Sequence, residues 1–316
     1  MKRWRDRFPG RTFVNVGGVD LHYEREGKGP AVLLVHGLGD SHATWRACVT
    51  PLAKKGFDVI AVDLKGSGYS EKPADSDYST RALIDEMAQV LDKLEIKKAV
   101  IAGVSYGGHL ALRFAVVHRE RTSALIVCNA LAYAEPINVP FDLTVARMPG
   151  FRHIAHWFLS HRGLLKTYRQ WNFTGAYDGI TERVAEHWRF LSMPGGRRAY
   201  LALVHGIDER LVRAAEREHG SITAATLLLW GGVDPWFPVV QAERLKKAIR
   251  GAKLLVVPNG SHHFMEESPA AFVSRAAPFL ARALKPRRAK SATPAKSATP
   301  AKKKPAVAAK RVRRAG

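Results

Sequence analysis

Short, almost continuous apolar runs recur along this chain at Ala31–Val35, Phe57–Val62, Ala99–Ala102, Ala124–Val127, Ala225–Trp230 and Lys253–Val257. Runs of this length without polar alternation suit strands buried on both faces, the kind found in parallel sheets. Between them lie helix-period segments at about 42–54, 80–94, 105–118 and 238–249, with a last one near 269–284. Strands alternating with helices predict an α/β fold, a mostly parallel central sheet flanked by helices on both faces. Ahead of the alternation, Phe13–Glu26 reads as a hairpin turning at Gly17-Gly18.

The alternation fails between 131 and 220, where no buried-strand run occurs and Arg, His and Trp are frequent. A stretch this long is no simple loop, so it is expected to be a helical cap over the carboxyl edge of the sheet, where such folds bind ligands. The expected organisation is therefore a basic N-terminal segment (1–12), a first core part (13–130), a helical cap (131–220), a second core part (221–284) and a tail (285–316).

Charge sets the tail apart. The chain of 316 residues carries a net +22, and residues 285–316 hold twelve Lys or Arg with no Asp or Glu, which leaves +10 for the rest. Lys-Ser-Ala-Thr-Pro-Ala occurs there twice, from Lys290 and from Lys296. With almost no large apolar side chain this segment cannot offset its ordering entropy and is expected to be disordered. Its units look like those of histone-H1-type tails, and contact with nucleic acid or an anionic membrane surface is the functional reading. A merely solvated tail is the alternative. No aromatic residue is interleaved for base stacking, which argues against sequence-specific recognition.

Over the whole chain 46% hydrophobic and 25% charged residues are ordinary for a globular protein. No apolar run approaches the ~18 residues of a membrane span. Cys48 and Cys128 are far apart and form no C-x-x-C, so reduced thiols and a cytoplasmic location are expected.

Gly103-Val104-Ser105-Tyr106-Gly107 follows directly on the run Ala99–Ala102 and precedes a helix-period segment. A serine on a sharp strand-to-helix turn has its hydroxyl exposed on a tightly held backbone. Serine needs a base to take its proton, and a histidine base needs a carboxylate to fix its tautomer. The sequence offers Asp234 just past the run ending at Trp230, and the pair His262-His263 just past the run ending at Val257. Either histidine can serve on this evidence.

The order Ser105, Asp234, His262 resembles that of the α/β-hydrolase fold superfamily, and the resemblance extends over residues 13–284. Its other carriers are His36-Gly37-Leu38-Gly39, Asp63-Leu64-Lys65-Gly66-Ser67-Gly68-Tyr69-Ser70, Trp230-Gly231-x-x-Asp234-Pro235, and His262 followed by Phe264, Glu266 and Pro269. The resemblance implies Ser105 as nucleophile, His262 as base and then acid, and Asp234 as its orienting carboxylate. It implies the backbone N–H groups of Leu38 and Tyr106 as the oxyanion hole. It also selects His262 over His263, because Pro269 lies seven residues beyond His262. His36 and Asp63 are expected to be structural, and Asp40 to cap the helix that follows it.

Trp45, Trp157, Trp236 and Phe237 flank the expected site loops and are candidates for an apolar substrate pocket. Arg152, Arg169 and Arg189 are read as solvated. His153-x-x-His156 and His161 lack a partnering acid or cysteine cluster, and no phosphate-binding glycine motif is present, so no metal and no cofactor is expected. The expected activity is hydrolysis of a carboxylic ester, thioester or related acyl bond of a small apolar substrate, through an acyl-enzyme. The alternatives are carbon–carbon bond hydrolysis, perhydrolysis or acyl transfer by the same triad, and a binding protein anchored to polyanions by its tail. Haloalkane dehalogenase and epoxide hydrolase chemistry is excluded, since those relatives use aspartate where this chain has Ser105.

Overall fold

A computed structural model of the protein describes residues 3–134 and 159–285. The described strands are β1 (Phe13–Val16), β2 (Val19–Glu26), β3 (Ala31–Val35), β4 (Asp58–Val62), β5 (Ala99–Ser105), β6 (Thr122–Ala130), β7 (Ala225–Gly231) and β8 (Lys253–Val257). They form one sheet in the order β1-β2-β4-β3-β5-β6-β7-β8. The hairpin β1–β2 and the pair β2–β4 are antiparallel, and every pairing from β4–β3 to β7–β8 is parallel.

Helices α1 (Arg46–Ala53), α2 (Thr80–Lys93) and α3 (Tyr106–Val117) connect the first core strands. Between β6 and β7 the described residues form α4 (His161–Thr167), a π-type turn (Tyr168–Asn172), α5 (Ile180–Ser192), α6 (Gly196–Gly206) and α7 (Glu209–Glu216). After β7 come α8 (Val239–Ala248), the single turn α9 (Phe264–Glu267) and α10 (Pro269–Ala283). Among the described residues no helix is long and apolar enough to cross a membrane. The expected cap residues Arg152, His153, His156, Trp157 and Phe158, and the tail from 286 onward, lie outside the described residues.

The strand period of two divides the core between the two faces of the sheet. Leu33, Ile101, Leu125 and Leu228 join one buried cluster with residues of α2 and α3, such as Leu83 and Phe114. Val32, Leu34, Val100 and Leu227 join a second with Trp45, Phe264 and Phe272. Each fully buried side chain of this kind contributes about 1.5–3 kcal/mol, and both faces need covering, which is why the runs carry no polar alternation.

This packing corrects one expectation. Trp45 is fully buried in the second cluster, its ring 5.2 Å from that of Phe272. It packs α10 onto the sheet and does not reach the substrate cavity, because the helix it precedes turns its apolar face inward.

Candidate active site

β5 ends at Ser105 and α3 begins at Tyr106 with no loop between them. The chain makes that turn by holding Ser105 at φ 58° and ψ −124°, a left-handed backbone that is costly for a residue with a Cβ. The flanking glycines are demanded by close approach. A Cβ on Gly103 would stand 2.1 Å from the Gly107 carbonyl oxygen, and one on Gly107 would stand 2.3 Å from that of His36. Strand, turn and helix are therefore locked together with the serine side chain at the tip.

The histidine and the acid come from the next two strand ends. Asp234 follows β7, and its Oδ1 accepts hydrogen bonds from the backbone N–H groups of Trp236 at 2.8 Å and Phe237 at 3.3 Å. Its Oδ2 lies 2.9 Å from His262 Nδ1. A carboxylate already accepting two N–H bonds offers the ring only an acceptor, so Nδ1 carries the proton and Nε2 is left with its lone pair. His263 pairs elsewhere: its Nδ1 lies 2.8 Å from Glu266 Oε1.

Ser105, His262 and His263 line one cavity of about 420 Å³, together with Leu38 and Tyr106, whose N–H groups are the expected oxyanion donors. Tyr106 is the first residue of α3, so its N–H has no intrahelical partner. Trp236 and Phe237 line the cavity, and the Trp171 ring lies 5.3 Å from that of Trp236, tilted at 51°. Leu131, Leu164, Val204 and Val212 complete an apolar wall.

His36 is fully buried and holds loops together. Its Nε2 accepts from the Leu64 N–H at 3.0 Å, and its Nδ1 bonds the Gly37 carbonyl at 2.7 Å, beside Leu38. Burial pushes its pKa down, which keeps the ring neutral for that pair of bonds. Asp63 accepts from the Tyr69 N–H at 2.9 Å, closing the glycine-rich turn, and also faces His22 and His42. Asp40 does not cap the following helix; Ser41 does, accepting from the Ala43 N–H. Instead Asp40 is buried against Arg183 of α5, because a carboxylate enclosed here needs a cation more than a helix needs a second cap.

Among the described residues two groups of His and acid side chains have metal-like spacing, His22–His42–Asp63 and Asp40–His263–Glu266. In both, protein donors already occupy the acids. Asp63 is taken up by backbone and imidazole donors. In the second group Arg183 donates to both Asp40 and Glu266.

Two organising residues carry no pattern in the sequence. Asn129, at φ 41° near the end of β6, donates to the carbonyls of Ser261 at 2.9 Å and His262 at 2.8 Å. Its Oδ1 accepts from the Gly231 N–H at 2.8 Å, so one side chain clamps the histidine loop to the acid loop. The only hint was an amide at the end of an otherwise apolar run. Arg183 is the other, an apparent surface arginine on an amphipathic helix that is in fact 5% exposed.

Comparison with known proteins agrees with this architecture. The family profile described as alpha/beta hydrolase fold matches residues 30–269. The chain is 30% identical over 283 residues to 2-hydroxymuconate semialdehyde hydrolase of Pseudomonas sp. (strain CF600), covering 87% of this chain and 94% of that protein. It is 26% identical to 2-hydroxy-6-oxo-2,4-heptadienoate hydrolase of Pseudomonas putida, over 85% of this chain and 95% of that one. Among solved structures, a meta-cleavage product hydrolase from Pseudomonas fluorescens superposes with a TM-score of 0.72 at 24% identity, over 86% of this chain and 98% of its own, a likeness of fold.

Proposed function

Since the chain belongs to the α/β-hydrolase fold family and is a hydrolase, we propose that it cleaves an acyl bond through an acyl-enzyme formed on Ser105. The carrying observation is His262, paired with Asp234 at 2.9 Å and lining the same cavity as a serine held in strained backbone. His262 Nε2 takes the Ser105 proton as Oγ attacks the substrate carbonyl. Asp234 keeps the tautomer and stabilises the imidazolium. The N–H groups of Leu38 and Tyr106 hold the oxyanion, each such donor contributing ~3–4 kcal/mol in the transition state. The imidazolium then protonates the leaving group, and water deacylates the serine by the same steps. In this reading the helices between β6 and β7 belong to a cap spanning 131–220, set between core parts 13–130 and 221–284.

The cavity favours an uncharged carboxylic ester or lactone. Among the described residues no lysine or arginine lines it, while Asp40 and Glu209 do. The nearby Arg183 is already paired with two carboxylates. A substrate carboxylate would therefore lose water and gain no cation. The test is a set of small neutral esters and lactones beside the same acyl groups bearing a carboxylate. Selective turnover of the neutral members supports the reading; preference for the charged ones contradicts it.

The names of the relatives favour a second reading, carbon–carbon bond hydrolysis. A semialdehyde of the kind that 2-hydroxymuconate names has no ester to cleave, so its hydrolysis would break a carbon–carbon bond. The same triad would serve, with His262 delivering its proton to carbon. Turnover of a vinylogous diketone faster than of its ester counterpart would select this reading.

The basic residues 285–316 suggest a separate property, salt-sensitive contact with nucleic acid or anionic lipid. Retention of the full chain, but not of a chain ending at Leu284, on DNA or anionic vesicles at low salt tests it. Equal retention of both contradicts it. The two buried free thiols, Cys48 and Cys128, suit a reducing, cytoplasmic setting.

A further inference from the structure

Asn172 closes the π-type turn after α4 and lines the cavity, yet it plays no part in the chemistry just described. The turn is completed by the Phe173 N–H donating to the Tyr168 carbonyl at 3.1 Å, five residues back. Single wide turns of this kind are frequent at functional sites. Here the turn brings Tyr168 and Asn172 to one cavity.

The residue is fastened to both the histidine loop and the acid loop. Its backbone carbonyl accepts from the His263 N–H at 3.0 Å, and its Oδ1 accepts from Trp236 Nε1 at 3.2 Å. Trp236 is held in turn, since its own backbone N–H donates to Asp234 Oδ1 at 2.8 Å. An indole N–H only donates, so the amide oxygen must face it, and this orientation depends on no protonation state. Nδ2, with two N–H donors, then has no hydrogen-bond partner among the described residues.

The place of this donor follows from the triad. A leaving atom must come within hydrogen-bond reach of His262 Nε2 to take its proton. The rings of Phe237 and Trp236 stand beside His262, with centroids 5.6 and 6.0 Å from its own. Asn172, bonded to Trp236, therefore belongs to the leaving-group side of the cavity. Aromatic walls favour a flat ring there, and one amide gives that ring a directed polar contact.

We propose that Asn172 is a specificity-determining residue whose Nδ2 donates to an acceptor oxygen on the leaving group, so that the enzyme favours esters of aromatic alcohols that carry a carbonyl oxygen. This rests on the reading of Ser105 and His262 as the acyl-transfer machinery. The amide moves no proton; it binds and orients. A leaving group without an acceptor fills the same volume and leaves the amide unmet. Because the donor is a neutral amide, the selection holds at every pH at which the enzyme turns over.

The experiment measures kcat/KM of the full-length protein for the butanoate esters of 3- and 4-acetylphenol against those of 3- and 4-isopropylphenol, which match them in shape. One acyl group throughout means one deacylation step, so the comparison reads acylation. Dividing by the same ratio in a variant removes the intrinsic reactivity of each phenol. The better acetyl-to-isopropyl ratio should be about three- to tenfold higher in the wild type than in Asn172→Leu, the span of one neutral hydrogen bond. Asn172→Asp keeps an oxygen toward Trp236 and removes both donors, so it should lose the preference equally, and it carries the comparison should N172L fail to fold. A structural role for Asn172 would lower both members of each pair together. Ratios unchanged in the variants overturn the proposal. So does a ratio change seen instead between phenyl 4-oxopentanoate and phenyl 4-methylpentanoate, where the acceptor is on the acyl side. Failure of the Ser105 reading looks different, as no turnover of any ester; calorimetric binding of the free phenols to wild type and N172D then tests the amide by itself.

Discussion

Arg183 of α5 and Asp40 of the loop after β3 form a buried ion pair that ties the helices between β6 and β7 to the loop carrying Leu38. The same guanidinium holds Glu266, four residues beyond His262. Burial is the largest influence on Asp40 and works against its charge, but Arg183 together with the neighbouring His263, His187 and His36 outweighs it and holds the carboxyl well below its usual range. Replacing Arg183 with Met keeps much of the volume and strands two buried carboxylates. The expected loss is about 3–5 kcal/mol by urea unfolding, the usual cost of removing one partner from a buried pair. A loss under about 1 kcal/mol would mean that the pair is not enclosed.

Stability should be greatest near pH 6.5 and fall on both sides, for opposite reasons. Burial pushes the pKa of His109, His187 and His219 down to about 4 from the ordinary 6.5 of histidine. Between those values the unfolded chain binds protons that the folded chain refuses, so stability falls as pH drops. His42 behaves oppositely: burial resists its charge, but Asp63 and Glu24 raise it to about 9. Its contribution is full below 6.5 and is lost as pH rises through 9, with a slope of at most about 1.4 kcal/mol per pH unit. Unfolding series from pH 4 to 10 check this. His42→Asn should flatten the alkaline limb and leave the acid limb, and an unchanged alkaline limb would contradict the assignment.

The strain at Ser105 should be measurable as stability withheld for function. Glycine tolerates φ 58° and ψ −124°, so Ser105→Gly should raise stability by about 1 kcal/mol, relief of strain less the entropy of a new glycine. Activity should vanish in the same variant. Loss of stability would show that the serine side chain is a structural support.

Asp234→Asn preserves shape, but its amide can donate to Nδ1 and leave the proton on Nε2. By the triad logic kcat should fall by about 10³–10⁴ with little change in KM. A fall under tenfold would move the orienting role to another acid, and Glu266 would be the first to examine through Glu266→Gln.

What the sequence makes legible here is local. The buried strands show as apolar runs because both faces of each are covered, and the turn at Ser105 shows because glycines must flank a close approach of backbones. Asp234 and His262 are legible as residues just past strands, since the sheet gathers strand ends. Arg183 and Asn129 are not, because an ion pair joining residues 40, 183 and 266 and a clamp joining residues 129, 231, 261 and 262 leave no periodic trace. Trp45 and Asp40 mislead for the same reason. Each sits beside a loop of the site, and only its tertiary partners, Phe272 and Arg183, decide which way it faces.

The central claim is a covalent acyl-enzyme on Ser105 assisted by His262. The most direct measurement is the intact mass and peptide map of the full-length protein after treatment with a fluorophosphonate. One adduct on the peptide carrying Ser105 is expected, absent in Ser105→Ala and formed at least a hundredfold more slowly in His262→Gln, within the ~10²–10⁴ range of a general base. An adduct elsewhere, no adduct, or ester turnover that persists in S105A would contradict the account.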